Sequence, residues 1–402
     1  MVQRGNYIEK LKKLRDTELI KVVTGVRRCG KSTVLQLFSE YLLETGLAPE
    51  QIISINFEDI RFEELLDYRK LHAYVSERLV DGKMTYVFLD EIQNVPDFQR
   101  AVDSLFIKKN VDVYVTGSNA RLLSGELATL LSGRYIEIPL LPLSFSEYYE
   151  MKGGDKREAF TGYFRNGGFP YAAAIADEEI RNEYLRGVYN TVLLKDIVGR
   201  KHIANVELLE RVIRFLFDNI GNLVSAKKIA DSLTSSGIKT SPITVDSYIE
   251  ALMDAYILYR AGRYDVKGKQ HLQSLEKYYL VDAGLRRMLL GDSNRDIGYI
   301  LENVVYLELL RRGSEVSVGK VDEQEVDFIA QAGGEKTYYQ VAASVLDAAT
   351  LEREIAPLEK IKDNYPKCIL TLDDILRDVN GIRQMNIIDF LLERGATEAH
   401  RG

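Results

Sequence analysis

The sequence predicts an α/β chain whose N-terminal third is a parallel sheet with helices crossing between its strands. Three observations lead there: short apolar runs alternate with helical patterns, the first run ends in a glycine-rich turn that opens a helix, and a later run ends in two adjacent carboxylates. Strands separated by helices need crossover connections, and crossovers make parallel sheets. Strands are predicted over residues 19–24, 52–57, 86–89, 111–116 and 135–139, with helices over 32–45, 62–80 and 122–131 among them.

With 402 residues, 46% of them hydrophobic, the chain can bury a full core, and its length suggests roughly two to three domains. A net charge of -7 and a pI near 5.5 give no general attraction to nucleic acid or to an anionic membrane. Binding of that kind would have to come from a local basic patch. The two cysteines, Cys29 and Cys368, cannot build a disulfide framework and suit a reducing compartment. Met1 to Arg15 is polar and basic without the apolar stretch of a signal peptide, and no run approaches the length of a spanning helix. A soluble cytoplasmic protein with no membrane partner is the expectation.

At the end of the first strand stands Gly25-Val26-Arg27-Arg28-Cys29-Gly30-Lys31-Ser32-Thr33. It fits the G-x-x-x-x-G-K-[ST] pattern in the strand-to-helix context that the motif needs. Glycines let the backbone wrap round phosphates, and the loop amides and helix N-terminus supply partial positive charge. Lys31 is placed to reach the outer phosphates of ATP, and Ser32 to ligate magnesium (Mg2+). The bland alternative, a glycine-rich turn, does not call for this flanking strand and helix. Cys29 lies beside Lys31 near a helix N-terminus, where a thiol pKa falls; against a reactive thiol stands a residue that merely fills a variable position.

The second motif is Val87-Phe88-Leu89-Asp90-Glu91. Asp90 would hold magnesium at the strand end, and Glu91 would polarise the attacking water. Acidic residues also mark ordinary strand exits, so the assignment draws its force from the upstream phosphate loop. The strand over 111–116 ends in Thr116-Gly117-Ser118-Asn119, small polar side chains at the edge where ligands of open parallel sheets bind. Ser118 or Asn119 could sense the γ-phosphate, or simply cap the next helix. Gly133-Arg134 precedes the fifth strand; Arg134 could reach a neighbouring subunit's γ-phosphate in a homo-oligomer, or form a surface ion pair.

Together with Pro142-Leu-Ser-Phe-Ser-Glu147, Gly167-Gly-Phe-Pro170, Lys195-Asp-Ile-Val, Leu301-Glu302-Asn303, Glu325-Val-Asp327-Phe and Tyr339-Gln340-Val, these motifs resemble a bacterial and archaeal family of AAA-type P-loop ATPases. That family joins the ATPase module to a C-terminal domain of unknown function distantly similar to PD-(D/E)xK nucleases. The resemblance covers almost the whole chain and implies ATP-dependent conformational work on a client that the sequence does not name. It divides the chain into a P-loop core over 1–143, a helical lid over 144–205, a winged-helix domain over 206–290 and a degenerate nuclease-like α/β domain over 291–402. In the lid, Lys195, Arg200 and Lys201 are all candidates for a second sensor.

The winged-helix pattern consists of a helix over 207–220, a second capped by Ser225, a third capped by Ser241 with Pro242 in its first turn, and a hairpin from 256–265 and 277–281. The third helix carries Asp246, Glu250 and Asp254 and no basic residue, poor equipment for a phosphate-lined groove. Arg260, Arg263, Lys267 and Lys269 sit in the hairpin instead. A protein-contact role is favoured over DNA.

In the last domain, strand alternation lets Glu302, Asp327 and Gln340 converge like a metal-nuclease site. The nuclease pattern wants a lysine two residues after Gln340, where this chain has Ala342. Lys360 or Lys362 could substitute, but a degenerate fold without nuclease activity is the expectation. Two functional classes remain open: an ATP hydrolase driving conformational change, and a nucleotide-switched, DNA-associated or protein-binding adaptor with slow hydrolysis.

Overall fold

The computed structural model describes residues 2–120, 133–199, 203, 205–292 and 297–393. The helix predicted over 122–131 lies outside them, as do the sensor candidates Arg200 and Lys201 and the side chain of Lys195. The chain divides into two compact units, Met1–Pro142 with Asp254–Tyr256, and Leu143–Met253 with Ile257–Gly402.

In the first unit α1 (Gly5–Leu14) precedes β1 (Ile20–Thr24), α2 (Lys31–Glu44), β2 (Ile52–Asn56), α3 (Tyr68–Ser76), β3 (Thr85–Asp90), α4 (Phe98–Phe106), β4 (Val111–Gly117) and β5 (Tyr135–Pro139). The five strands form one sheet in the order β2-β3-β4-β1-β5, and every pairing is parallel. Strands β1, β3 and β4 are buried at every position, as strands covered on both faces must be, which is why they read as unbroken apolar runs. On one face Ile20, Val22, Val87, Leu89, Val113 and Val115 share a core with residues of α3 and α4. On the other, Phe38 of α2 packs on Phe88 and Tyr114.

Two features depart from the sequence pattern. β2 separates the two nucleotide motifs along the chain, but in the sheet it is β4 that lies between their strands. The helix predicted over 62–80 is broken at Asp67, whose extended backbone ends a 3-10 stretch (Ile60–Leu66) and whose carboxylate accepts from the amides of Arg69 and Lys70 to start α3.

The second unit begins with helices α5 (Phe145–Lys152), α6 (Lys156–Asn166), α7 (Pro170–Ala174) and α8 (Glu178–Thr191), the last running into a π-helical stretch over Val192–Val198. Then come α9 (Val206–Asp218), β6 (Leu223–Val224), α10 (Ala226–Ser235), α11 (Pro242–Asp254), β7 (Leu258–Asp265), β8 (Gln270–Leu280) and α12 (Ala283–Leu290). Finally α13 (Ile297–Arg311), β9 (Glu315–Val321), β10 (Gln324–Ala332), β11 (Glu335–Val341), α14 (Ala348–Glu359), β12 (Lys367–Thr371), β13 (Arg383–Asn386) and α15 (Ile387–Leu392) close the described chain. The β7–β8 hairpin is not free-standing: β7 pairs in parallel with β9, joining eight strands into one sheet, β13-β12-β11-β10-β9-β7-β8-β6.

Gly167 and Gly168 tie the early helices to Asp282, the residue that caps α12 just past β8. Gly167 has φ 76°, and a Cβ there would lie 2.2 Å from Asp282 Oδ1; the Gly168 amide donates to Asp282 Oδ2 at 2.6 Å. Burial pushes the Asp282 carboxyl up to about 6. Among the described residues no helix is long and apolar enough to cross a membrane.

Candidate functional site

The carboxyl ends of β1, β3 and β4 bring the nucleotide motifs together. The loop after β1 turns on Gly25, at φ 144°, where a Cβ would meet the Leu140 carbonyl oxygen at 2.2 Å. Only glycine lets the chain pass there. Gly30, at φ 104°, stands at the N-cap of α2, so the next residue, Lys31, opens the helix. Lys31 is buried, and its ammonium reaches back to the carbonyls of Gly25 and Val26 at 3.1 and 3.3 Å and to Glu91 Oε1 at 3.4 Å. These acceptors hold the cation where phosphate oxygens would otherwise receive it. Val26 is buried and Arg28 exposed at φ 67°; Arg27 is buried and pairs with Glu58 at 3.0 Å. Ser32 and Thr33 stand in the first turn of α2.

Asp90 ends β3 near Ser32, whose hydroxyl pulls its carboxyl down, so the two residues assigned to magnesium come together. Thr116 Oγ1 donates to Asp90 Oδ1 at 2.5 Å and accepts from the Glu91 amide at 2.8 Å, and Asn56 donates to Asp90 Oδ2 at 3.1 Å. Burial pushes the Asp90 carboxyl up, against the pull of Ser32 and Thr116. Glu91 behaves differently. Burial, the largest single influence, would raise it too, but Lys31, Arg27 and the hydrogen bond from Gln93 together outweigh burial and hold its carboxyl below the ordinary value. Glu91 is therefore ionised at neutral pH, the state a base requires.

Among the described residues no group of three or more His, Cys, Asp or Glu side chains is arranged to hold a metal. A hydroxyl and one carboxylate suit magnesium, which keeps several waters and takes the rest of its shell from substrate phosphates. Ser32 and Asp90 are the residues that would hold the ion carried in with ATP.

Ser118 and Asn119 are both buried just past β4; Ser118 Oγ donates to Glu91 Oε2 at 3.3 Å. Cys29 is fully buried, and burial pushes its thiol up despite Lys31 nearby, so the reactive-thiol alternative is corrected: desolvation outweighs the cation. Arg134 is not part of this cluster. It precedes β5 at the amino edge of the sheet, where its carbonyl accepts from the Ile20 amide at 2.7 Å, and its half-exposed guanidinium pairs with Asp103 at 2.7 Å.

Asn56, Gln93 and Thr116 carry no assigned role in the sequence reading, yet all three touch the carboxylate pair. Their common signal is a polar side chain at or just beyond the carboxyl end of a strand, the edge where ligands of such sheets bind.

In the second unit Glu302, Asp327 and Gln340 do converge. Gln340 Oε1 accepts from the Asp327 amide at 3.3 Å, and Asp327 Oδ2 accepts from the Val341 amide at 2.9 Å. The cation among them comes from neither Lys360 nor Lys362. Lys362 instead donates to the Glu359 carbonyl at 3.4 Å, and Lys277 of β8 supplies the buried ammonium. It lies 3.1 Å from Glu302, 2.7 Å from Glu325 and 3.8 Å from Asp327. Burial alone would lower Lys277, but Glu302, Asp327 and Glu325 hold it above its ordinary value. Desolvation drives both Glu302 and Asp327 up, Asp327 strongly. Two of the four basic residues of the hairpin are engaged as well: Arg260 lies 3.6 Å from Glu250 and 3.8 Å from Glu276, and Lys267 pairs with Asp322 at 2.7 Å.

Comparison with known proteins agrees with this geometry. Residues 17–149 match the family described as AAA domain, and residues 157–296 match a domain of unknown function, DUF8612. A Walker-type ATPase of Pyrococcus abyssi shares the fold at a TM-score of 0.50 and 17% identity, over 72% of this chain and 96% of that one. An uncharacterized protein of Haemophilus influenzae is 40% identical over 98% of this chain and 99% of its own length. Another, from Methanocaldococcus jannaschii, is 32% identical over 88% of this chain and 82% of its own. With identity at that level over most of all three chains, the protein belongs to the same family as these two relatives, and its N-terminal third is an AAA domain.

Proposed function

We propose that this protein hydrolyses ATP to ADP and phosphate at the loop Gly25–Thr33, with Glu91 as the base, and uses the cycle to change conformation on a client. The observation that carries the reading is the Lys31–Glu91 contact at 3.4 Å beside the Ser32–Asp90 pair. Phosphate oxygens are stronger partners for Lys31 than loop carbonyls. As ATP draws the ammonium away, Glu91 loses its nearest cation and becomes a better proton acceptor for the attacking water. Binding and activation of the base are thus one event. Ser118 and Asn119, at the same edge, are placed to register the γ-phosphate.

Replacing Glu91 by Gln should leave MgATP bound and slow steady-state phosphate release by roughly 10²–10⁴-fold, the usual general-base contribution. Turnover at the wild-type rate would remove Glu91 from the mechanism.

The helix–strand–helix–helix–hairpin run from α9 to β8 we read as a winged helix that contacts protein. The acidic third helix offers no cation to a phosphate backbone, and two of the four basic residues of the hairpin, Arg260 and Lys267, are already ion-paired. The α/β part that follows we read as a nuclease-like fold without nuclease activity, because a lysine ammonium sits among the carboxylates where such a fold would place a divalent ion.

A further inference from the structure

Gln93 follows the carboxylate pair in a short 3-10 turn, Ile92–Asn94. Its amide nitrogen donates to Glu91 Oε2 and lies 3.4 Å from Ser118 Oγ, which itself donates to the same Glu91 oxygen at 3.3 Å. The other Glu91 oxygen faces Lys31. Gln93 Oε1 is buried and has no hydrogen-bond partner among the described residues. An orphaned buried acceptor is unfavourable, and an apolar side chain of the same length would avoid it. Stability therefore does not account for a glutamine here; its donor half, spent on Glu91, does. Glu91 also sits at φ 54°, the left-handed region that non-glycine residues seldom adopt, so its carboxylate is aimed by a strained backbone that needs holding.

We infer that Gln93 is a positioning residue for hydrolysis, fixing the Glu91 carboxylate toward the phosphate loop and linking it to Ser118 at the end of β4. The inference rests on the proposed role of Glu91 as base. One Glu91 oxygen is clamped by Gln93 and Ser118 while the other is left to Lys31 and, once Lys31 turns to phosphate, to the attacking water. A shift of Ser118 on meeting the γ-phosphate is passed to the base through the same clamp.

The test is steady-state phosphate release as a function of MgATP for wild-type protein, Gln93→Met and Gln93→Glu, with kcat and KM read separately. Gln93→Met keeps the length and removes the donor. Its kcat should fall about 10–100-fold, the usual worth of a hydrogen bond to a charged group, with KM for MgATP within about twofold. Gln93→Glu sets a carboxylate against Glu91 and should lose more turnover than Gln93→Met, again with little change in KM. Gln93→Met also removes the orphaned acceptor and should melt no lower than wild type, so its loss of kcat is not a folding defect. A Gln93→Met protein with wild-type kcat overturns the inference and leaves the Glu91 assignment standing. A wild-type rate in Glu91→Gln, by contrast, sinks both.

Discussion

Arg134→Ala should bind MgATP with nearly wild-type affinity and lose about 10³–10⁵-fold of its turnover, the range an arginine finger contributes in GTPases. The phosphate loop leaves the carboxyl end of β1, whereas Arg134 stands before the amino end of β5, paired in register with the start of β1. A strand of five residues puts about 16 Å between the two edges at about 3.3 Å per residue. Arg134 is thus too far from its own nucleotide, and only a neighbouring copy could use it. Its resting partner does not tie it down, since an exposed pair such as Arg134–Asp103 is worth about 0–1 kcal/mol. Mixing Arg134→Ala with Lys31→Ala should restore part of the activity, because a subunit with an intact loop can then adjoin one with an intact arginine. If the arginine serves only the local pair, Arg134→Ala will lower the melting temperature slightly and leave kcat alone.

Lys277→Met should destabilise the second unit by about 3–5 kcal/mol, the usual result of removing one partner from a buried ionic cluster. Lys277 is 4% exposed, and its loss leaves Glu302, Glu325 and Asp327 facing one another with no cation between them. The loss should shrink as pH falls. Burial already raises the Glu302 and Asp327 carboxyls, so their protonated forms favour the folded state, and that contribution is present at low pH and fades as pH climbs through their folded pKa values. Urea denaturation at several pH values reads both effects. A change below about 1 kcal/mol, flat with pH, would mean that the cluster is no more than a surface-type ion pair.

The loop Gly25–Thr33 was legible because its signal is local: glycines, lysine and serine stand within nine consecutive residues, and the flanking strand and helix can be read from the same stretch. Asp90 and Glu91 were legible for the same reason. What escaped were partnerships made by the sheet. Thr116 and Asn56 reach Asp90 from strands 26 and 34 residues away in sequence, and nothing in either segment announces it. The insertion of β4 between β1 and β3 is a choice of crossover that alternating patterns do not encode.

Lys277 shows the limit most plainly. The sequence comparison looks for a lysine at position 342 and finds alanine, whereas the buried ammonium arrives from β8, 25 residues ahead of Glu302. One trace was present. Lys277 and Tyr279 share a strand face, and Tyr279 also donates to Glu302, at 3.2 Å, so a lysine aligned with a buried aromatic marked an inward cation. Asp67 left a clearer trace, an acidic residue just before Tyr68, where a helix start was as readable as a helix interior.

Whether the Gly25–Thr33 loop binds ATP through Lys31 is read by a calorimetric titration of the purified protein with magnesium and a non-hydrolysable ATP analogue. Wild-type protein should show saturable binding, and Lys31→Ala should weaken it by at least about tenfold, because a buried charge-assisted contact to phosphate is removed. Equal affinity in the two proteins, or no binding in the wild type, would contradict the account.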